Sequence, residues 1–277
     1  MLRLGYNTSA FAQKKDITDI VGIIHGLGYD GMELTLDQRH FHPFFSDKYA
    51  TRTLVQSLYA HNLEVVLNTG GRYALSGIAH EPSLVSASAA ARERSARFVA
   101  ETIQLAPSLG VRTVMLHSGT LPAGVEQSEA WDWLVYEVTC LAEIAASEGV
   151  TLGFEFHPSM FVASLSDYRF LKARVGSAAL KLTLDVGHVV CTDKRPVSQV
   201  IAECNGEIAN VHLEDIMDRK HVHLPIGQGD IDFADVFRGL NAVGYEGLIN
   251  AEFNTDDLEV DECQLARETF EHLQRLM

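Results

Sequence analysis

The chain has 277 residues, 47% of them hydrophobic and 21% charged, enough to bury a large core in one or two domains. Its 22 Lys and Arg against 37 Asp and Glu give a formal charge of -15, which repels phosphate backbones and anionic membrane surfaces and argues against nucleic acid as a partner. No apolar run approaches the roughly 20 residues of a membrane helix. The first residues read as a strand, not a signal peptide, and Cys140, Cys191, Cys204 and Cys263 form no CxxC pair. A cytoplasmic protein with reduced thiols is expected, with no membrane partner.

Apolar alternation and helical periodicity then take turns along the chain. Leu2–Asn7 reads as a strand and Asp16–Leu27 as a helix. Gly31–Leu36 and Asp47–His61 repeat the pair, followed by Leu63–Asn68 with Ser83–Leu109 and Arg112–His117 with Ser128–Glu148. Thr151–Phe156 leads into Leu165–Val175, Leu180–Asp185 into Pro196–Cys204, Ile208–Leu213 into Phe233–Val243, and Leu248–Phe253 into Val260–Leu276. Asp or Ser opens several of the helices, and Gly28, Gly110 and Gly244 follow three of them, as N-caps and αβ turns require.

Eight βα units with no GxGxxG after the first strand predict one (β/α)8 TIM barrel over residues 1–277; an open doubly wound sheet is the alternative. No low-complexity tract or linker marks a second domain.

In such a barrel the C-terminal strand ends face one mouth. Those ends carry Asn7, Glu33, Asn68, His117, Glu155, Asp185, His212 and Glu252. Glu252 closes the otherwise apolar run Leu248-Ile249-Asn250-Ala251, and Glu155 and Asp185 sit in similar company. A buried carboxylate costs several kcal/mol unless paired or bound to metal. Three facing one another need a cation, and His212 is the natural nitrogen ligand. A divalent ion held by Glu155, Asp185, His212 and Glu252 is therefore expected. Around it stand His117, His188, His221 and His223, read as a second metal site or as contacts to sugar oxygens, with His221 and His223 placed in the loop after strand seven. Glu33, Asn68 and His117 share the mouth as expected substrate contacts. The loop aromatics Phe11, Phe41, Phe44, Phe45 and Tyr73 suggest an apolar wall or local packing, and Arg39, Arg72 and Lys194 are cations near the mouth.

The runs Leu184-Asp185-Val186-Gly187-His188, Val211-His212-Leu213-Glu214-Asp215 and His223-Leu224-Pro225-Ile226-Gly227-Gln228-Gly229-Asp230-Ile231-Asp232 closely resemble the xylose isomerase-like superfamily of sugar isomerases and epimerases, which includes endonuclease IV. Gly28-Tyr29-Asp30-Gly31-Met32-Glu33-Leu34 and Phe154-Glu155-Phe156-His157-Pro158 resemble it too, so the likeness spans almost the whole chain. It implies a divalent ion (Mn2+, Mg2+, Co2+ or Zn2+) on Glu155, Asp185, His212 and Glu252. It also implies proton transfer between Glu155 and Glu252 through a metal-stabilised enediolate, and a substrate oxygen at His188. The epimerases often carry an Arg six residues after the metal His; here that place is Asp218, and Arg219 is the substrate contact carried over.

The expected substrate is a small sugar or related polyhydroxy carbonyl compound, and a homo-oligomer is compatible with the family. Two other readings remain open. One is a multi-metal zinc hydrolase or dehydratase of the endonuclease IV-like branch, using His117, His188 and His223; against it, Asn68 and His221 stand where that enzyme has His and Asp, and the acidic charge lacks a phosphate track. The other is an inactive binding barrel, which buried acids without a metal make costly.

Overall fold

Eight parallel strands close on themselves in this computed structural model, which describes residues 1–11, 15–253, 255 and 260–277. The barrel strands are β1 (Arg3–Asn7), β2 (Gly31–Thr35), β3 (Glu64–Asn68), β4 (Thr113–His117), β5 (Thr151–Glu155), β6 (Leu180–Asp185), β7 (Ile208–Leu213) and β10 (Leu248–Ala251). Around the barrel they run β1-β10-β7-β6-β5-β4-β3-β2, so β10 lies between β7 and β1 and completes the ring. Helices α1 (Ile17–Leu27), α2 (Lys48–His61), α3 (Ala89–Leu105), α4 (Gln127–Glu148), α5 (Leu165–Val175), α6 (Val186–Thr192), α7 (Val197–Glu203), α8 (Phe233–Ala242) and α9 (Glu262–Leu276) alternate with them. This is a (β/α)8 TIM barrel, as the eight-fold alternation predicts. Among the described residues no helix is long and apolar enough to cross a membrane.

The helix ends follow the expected cap chemistry. The Asp16 and Asp47 side chains accept the Thr18 and Ala50 backbone N–H groups at the starts of α1 and α2, and Gly28 closes α1 at φ 97°, a left-handed conformation that a Cβ disfavours. Three expectations change. The helix expected from Ser83 begins only at Ala89, and its last turn, Ala106–Leu109, is a 3-10 helix around Pro107, because proline has no N–H to continue the α pattern. A short helix, α6, follows β6 without a gap. The segment after β7 is a hairpin of β8 (Asp215–Met217) and β9 (Lys220–Leu224). Its turn residues Asp218 and Arg219 both have positive φ, 55° and 59°, the demand of a tight two-residue hairpin turn. His221 and His223 therefore lie on a strand and not in a loop.

Burial falls into two compartments. The main core fills the space between the outer strand faces and the helices. Val66, Met115 and Leu248 form a separate apolar cluster, on the strand faces that alternate inward. Glycines thin that interior: a Cβ at Gly5 would lie 2.0 Å from Asn250 Oδ1, and one at Gly153 would lie 2.4 Å from Thr183 Oγ1.

Candidate active site

Every inward position at the C-terminal strand ends is polar, and the groups are interlocked. His212, fully buried on β7, lies at the centre. Its Nδ1 is 2.8 Å from Glu155 Oε1 and 2.6 Å from Glu252 Oε2, and Asp185 completes a cluster whose donor atoms lie within 4.8 Å of one another. On the other side of the ring, Nε2 is 2.8 Å from Glu33 Oε2. Glu33 also accepts hydrogen bonds from Asn68 Nδ2 at 2.7 Å and Asn210 Nδ2 at 2.9 Å, and Asn250 Nδ2 donates to Asn210 Oδ1 at 2.9 Å.

With Glu33 taking the Nε2 proton, Nδ1 turns its lone pair toward two carboxylates. Such a contact needs either a second ring proton or a cation. Without a cation, burial alone would lower the His212 pKa, yet Glu252, Glu33 and Glu155 raise it well above its ordinary value. Burial raises Glu155 and Asp185 despite His212. It also acts to raise Glu252, but there His212 more than offsets it and the carboxyl is held below its usual range. Three acidic oxygens and one imidazole nitrogen suit a divalent ion such as Mn2+, Mg2+, Co2+ or Zn2+. The residues fit the expected quartet of Glu155, Asp185, His212 and Glu252.

Local folding sets these side chains. Asp185 ends β6 and caps α6, with its Oδ1 accepting His188 N–H at 2.8 Å. Asn7 Nδ2 donates to Glu252 Oε1 at 2.8 Å, while Asn7 Oδ1 is held by Thr35 Oγ1 and Ser9 N. The Asp215 carboxylate accepts the N–H groups of Gly227 and Gly229 at 2.9 Å each and of Ile231 at 3.2 Å. It thereby folds the Gly227-Gln228-Gly229 turn beneath the hairpin, at a point where a Cβ on Gly229 would lie 2.2 Å from Ile216 O.

A cavity of about 410 Å³ opens over the quartet. Glu155, Glu252, Asn68, His117, His188, His221 and His223 line it, as do Arg39, Arg72, His80, His157, Met160 and Phe253. Its volume is typical of a small-molecule site, about 300–1,000 Å³. Burial, with His80 next, pushes His117 down to about 3, so this ring is neutral.

Two expected substrate contacts are placed elsewhere. Glu33 is fully buried below the cavity and is occupied by His212, Asn68 and Asn210. Arg219 is exposed and donates to Asp193 O at 2.7 Å, outside the cavity lining, because the hairpin turn directs it outward. Asn68 has its amide nitrogen on Glu33 and its oxygen on Gly70 N. Of the loop aromatics, Phe11 and Phe41 are buried packing residues, and Phe44 packs on Phe98.

Sequence reasoning missed Glu214 and His157. Glu214 is fully buried, and His157 is 4.5 Å from His188 between ring centroids. Each lies two residues after a quartet member, His212 or Glu155, so strand periodicity carried a signal for both.

The family model of the xylose isomerase-like TIM barrel matches residues 21–276, and the chain belongs to that family. It is 29% identical over 196 residues to the L-ribulose 3-epimerase of Mesorhizobium japonicum, covering 67% of this chain and 62% of that protein. It is 26% identical over 145 residues to the inosose dehydratase of Geobacillus thermodenitrificans, covering 46% and 48%. A solved D-tagatose 3-epimerase-like protein superposes with a TM-score of 0.80 at 19% identity, covering 99% of this chain and 98% of that one; at this identity the match shows the fold.

Proposed function

We propose that the protein is a divalent-metal-dependent isomerase or epimerase of a small sugar or related polyhydroxy carbonyl compound, with Glu155 and Glu252 moving the proton. The observation that carries this reading is the convergence of the Glu155, Asp185 and Glu252 carboxylates with His212 Nδ1 at the cavity floor. When bound, the ion supplies the electrophilic polarisation that acidifies a carbon beside a carbonyl. Glu155 and Glu252 line the cavity from β5 and from the end of β10, with β6 and β7 between them in the ring. A carboxylate on one side can take the carbon-bound proton while its counterpart returns one to the other face, which inverts that carbon. Asn7 orients Glu252 through its Oε1. His188, His117 and Asn68 line the wall, and this reading assigns them to substrate oxygens. Relatives named as sugar 3-epimerases support the substrate class.

The test is exchange in D2O with Mn2+ present, across a panel of ketoses and aldoses. Deuterium is expected at the carbon next to the carbonyl of at least one sugar, and Glu252→Gln is expected to abolish it while retaining the wild-type circular dichroism. Absence of exchange from every sugar would overturn the proposal. Dehydration is the second reading, favoured by the inosose dehydratase relative. It begins with the same proton removal, and a product lighter by one water would identify it.

A further inference from the structure

We propose that the cavity takes a sugar whose far end carries an anionic group, a phosphate or a carboxylate, and that Arg72 and His80 on the loop between β3 and α3 select it. This rests on the reading above that the cavity takes a small polyhydroxy carbonyl compound.

Charge is the first observation. The chain as a whole has a formal charge of -15, yet two arginines line the cavity, and among the described residues its only carboxylates are Glu155 and Glu252, both members of the quartet. An acidic protein that keeps acids out of the rest of its cavity favours a negatively charged ligand there. Arg39 is held by Asp37, with Nε 2.7 Å from Oδ2. Arg72 is exposed at the rim, its guanidinium 5.7 Å from the Tyr73 ring, and among the described residues it pairs with no carboxylate. The acid of its own loop, Glu81, accepts Ser86 Oγ at 2.8 Å instead.

The loop is fixed around that guanidinium. His42 Nε2 is 3.0 Å from Ala74 O, and Arg94 Nη2 donates to Leu75 O at 2.8 Å. A Cβ on Gly71 would lie 2.5 Å from Leu36 O, so the loop starts hard against the residue after β2. The His80 N–H donates back to Arg72 O at 2.7 Å, which returns the two residues to the cavity together. In making that return His80 takes φ 57°, a left-handed conformation that costs any side chain a penalty glycine escapes. A loop that only packed would seat glycine there. Strain kept on a histidine that lines a cavity points to a ligand.

His80 and His117 supply the hydrogen-bond donors. Their rings meet edge to face at 5.3 Å, and His80 Nδ1 and both ring nitrogens of His117 are buried without a partner. Burial, with Arg72 next, lowers the His80 pKa, so this ring is neutral like His117 and each carries one N–H. Buried donors left unmatched are costly, and the oxygens of a ligand satisfy them. Two N–H groups beside a guanidinium fork match the several oxygens of a phosphate or carboxylate. A neutral hydroxyl satisfies the imidazoles alone and leaves the charge of Arg72 unanswered.

The test is calorimetric titration of the chain, with Mn2+ present, with unreactive analogues: pentitols, their 5-phosphates and the matching pentonates. At least one anionic set is expected to bind about tenfold or more tighter than the neutral pentitols, and which set does so separates phosphate from carboxylate. Arg72→Gln, a change at an exposed position, is expected to remove that preference while Mn2+ affinity and circular dichroism stay as in wild type, and Arg72→Lys is expected to keep part of it. His80→Asn, whose side chain tolerates positive φ, is expected to reduce the preference less than Arg72→Gln does. Equal binding of anions and pentitols, no binding of any anion, or a preference that survives Arg72→Gln would overturn the proposal. The titration needs no turnover, so the two claims fail separately: an Arg72-dependent preference without deuterium exchange from any sugar refutes the proposed reaction alone, and exchange from neutral sugars with no preference for anions refutes this subsite alone.

Discussion

Two buried clusters inside the barrel are built on opposite terms. Val66, Met115 and Leu248 form a small cluster of apolar volume that needs nothing further, with Met115 reaching the cavity wall. At the C-terminal end Glu33, Asp185, His212 and Glu214 are just as buried, yet their charges are balanced only if protons or cations are supplied. Burial without balance is costly, so the polar end is where function, not stability, explains the residues.

Four outcomes test that contrast. Glu252→Gln is expected to lower the turnover of the proposed proton transfer about a thousandfold with little change in the melting temperature, measured by exchange rate and calorimetry. Leu248→Ala in the apolar cluster is expected to do the reverse. It should cost about 2–5 kcal/mol of stability in denaturant unfolding while leaving turnover per folded molecule near wild type. Glu33→Gln removes the negative charge and one of the two acceptor oxygens that face the His212 ring, and Mn2+ affinity is expected to fall about 10–100-fold; an unchanged affinity would reduce Glu33 to a packing residue. Ion uptake should also release protons, because His212 and Glu155 are raised in the cation-free site. Affinity then falls with falling pH by on the order of tenfold per unit for each proton displaced, as calorimetry in buffers of different ionisation enthalpy would show.

Much of this was legible in the sequence. The alternation of strands and helices specifies the closed ring, and the polar strand ends name the quartet, because a Glu or Asp after an apolar run has few inexpensive explanations. The hairpin was not legible, since its turn uses Asp218-Arg219 and not the Asn-Gly pair that marks such turns. Helix α6 was hidden because Asp185 is both the last residue of β6 and the cap of the helix. Depth was the other missing quantity. Glu33 and Glu155 both read as inward strand residues, but only the packed structure shows that one supports His212 from below while the other faces the cavity. Glu214 was overlooked although it repeats the inward parity of His212; the apolar Leu213 between them marks the pattern.

The most direct test is thermal unfolding of stripped protein with and without Mn2+. At a hundredfold excess over the dissociation constant, about 2.7 kcal/mol of stabilisation is expected for wild type and for Leu248→Ala, and it is lost in Glu155→Gln/Glu252→Gln. A wild type indifferent to Mn2+, or a double variant stabilised to the same extent, would contradict the claim that the C-terminal strand ends are built around a cation.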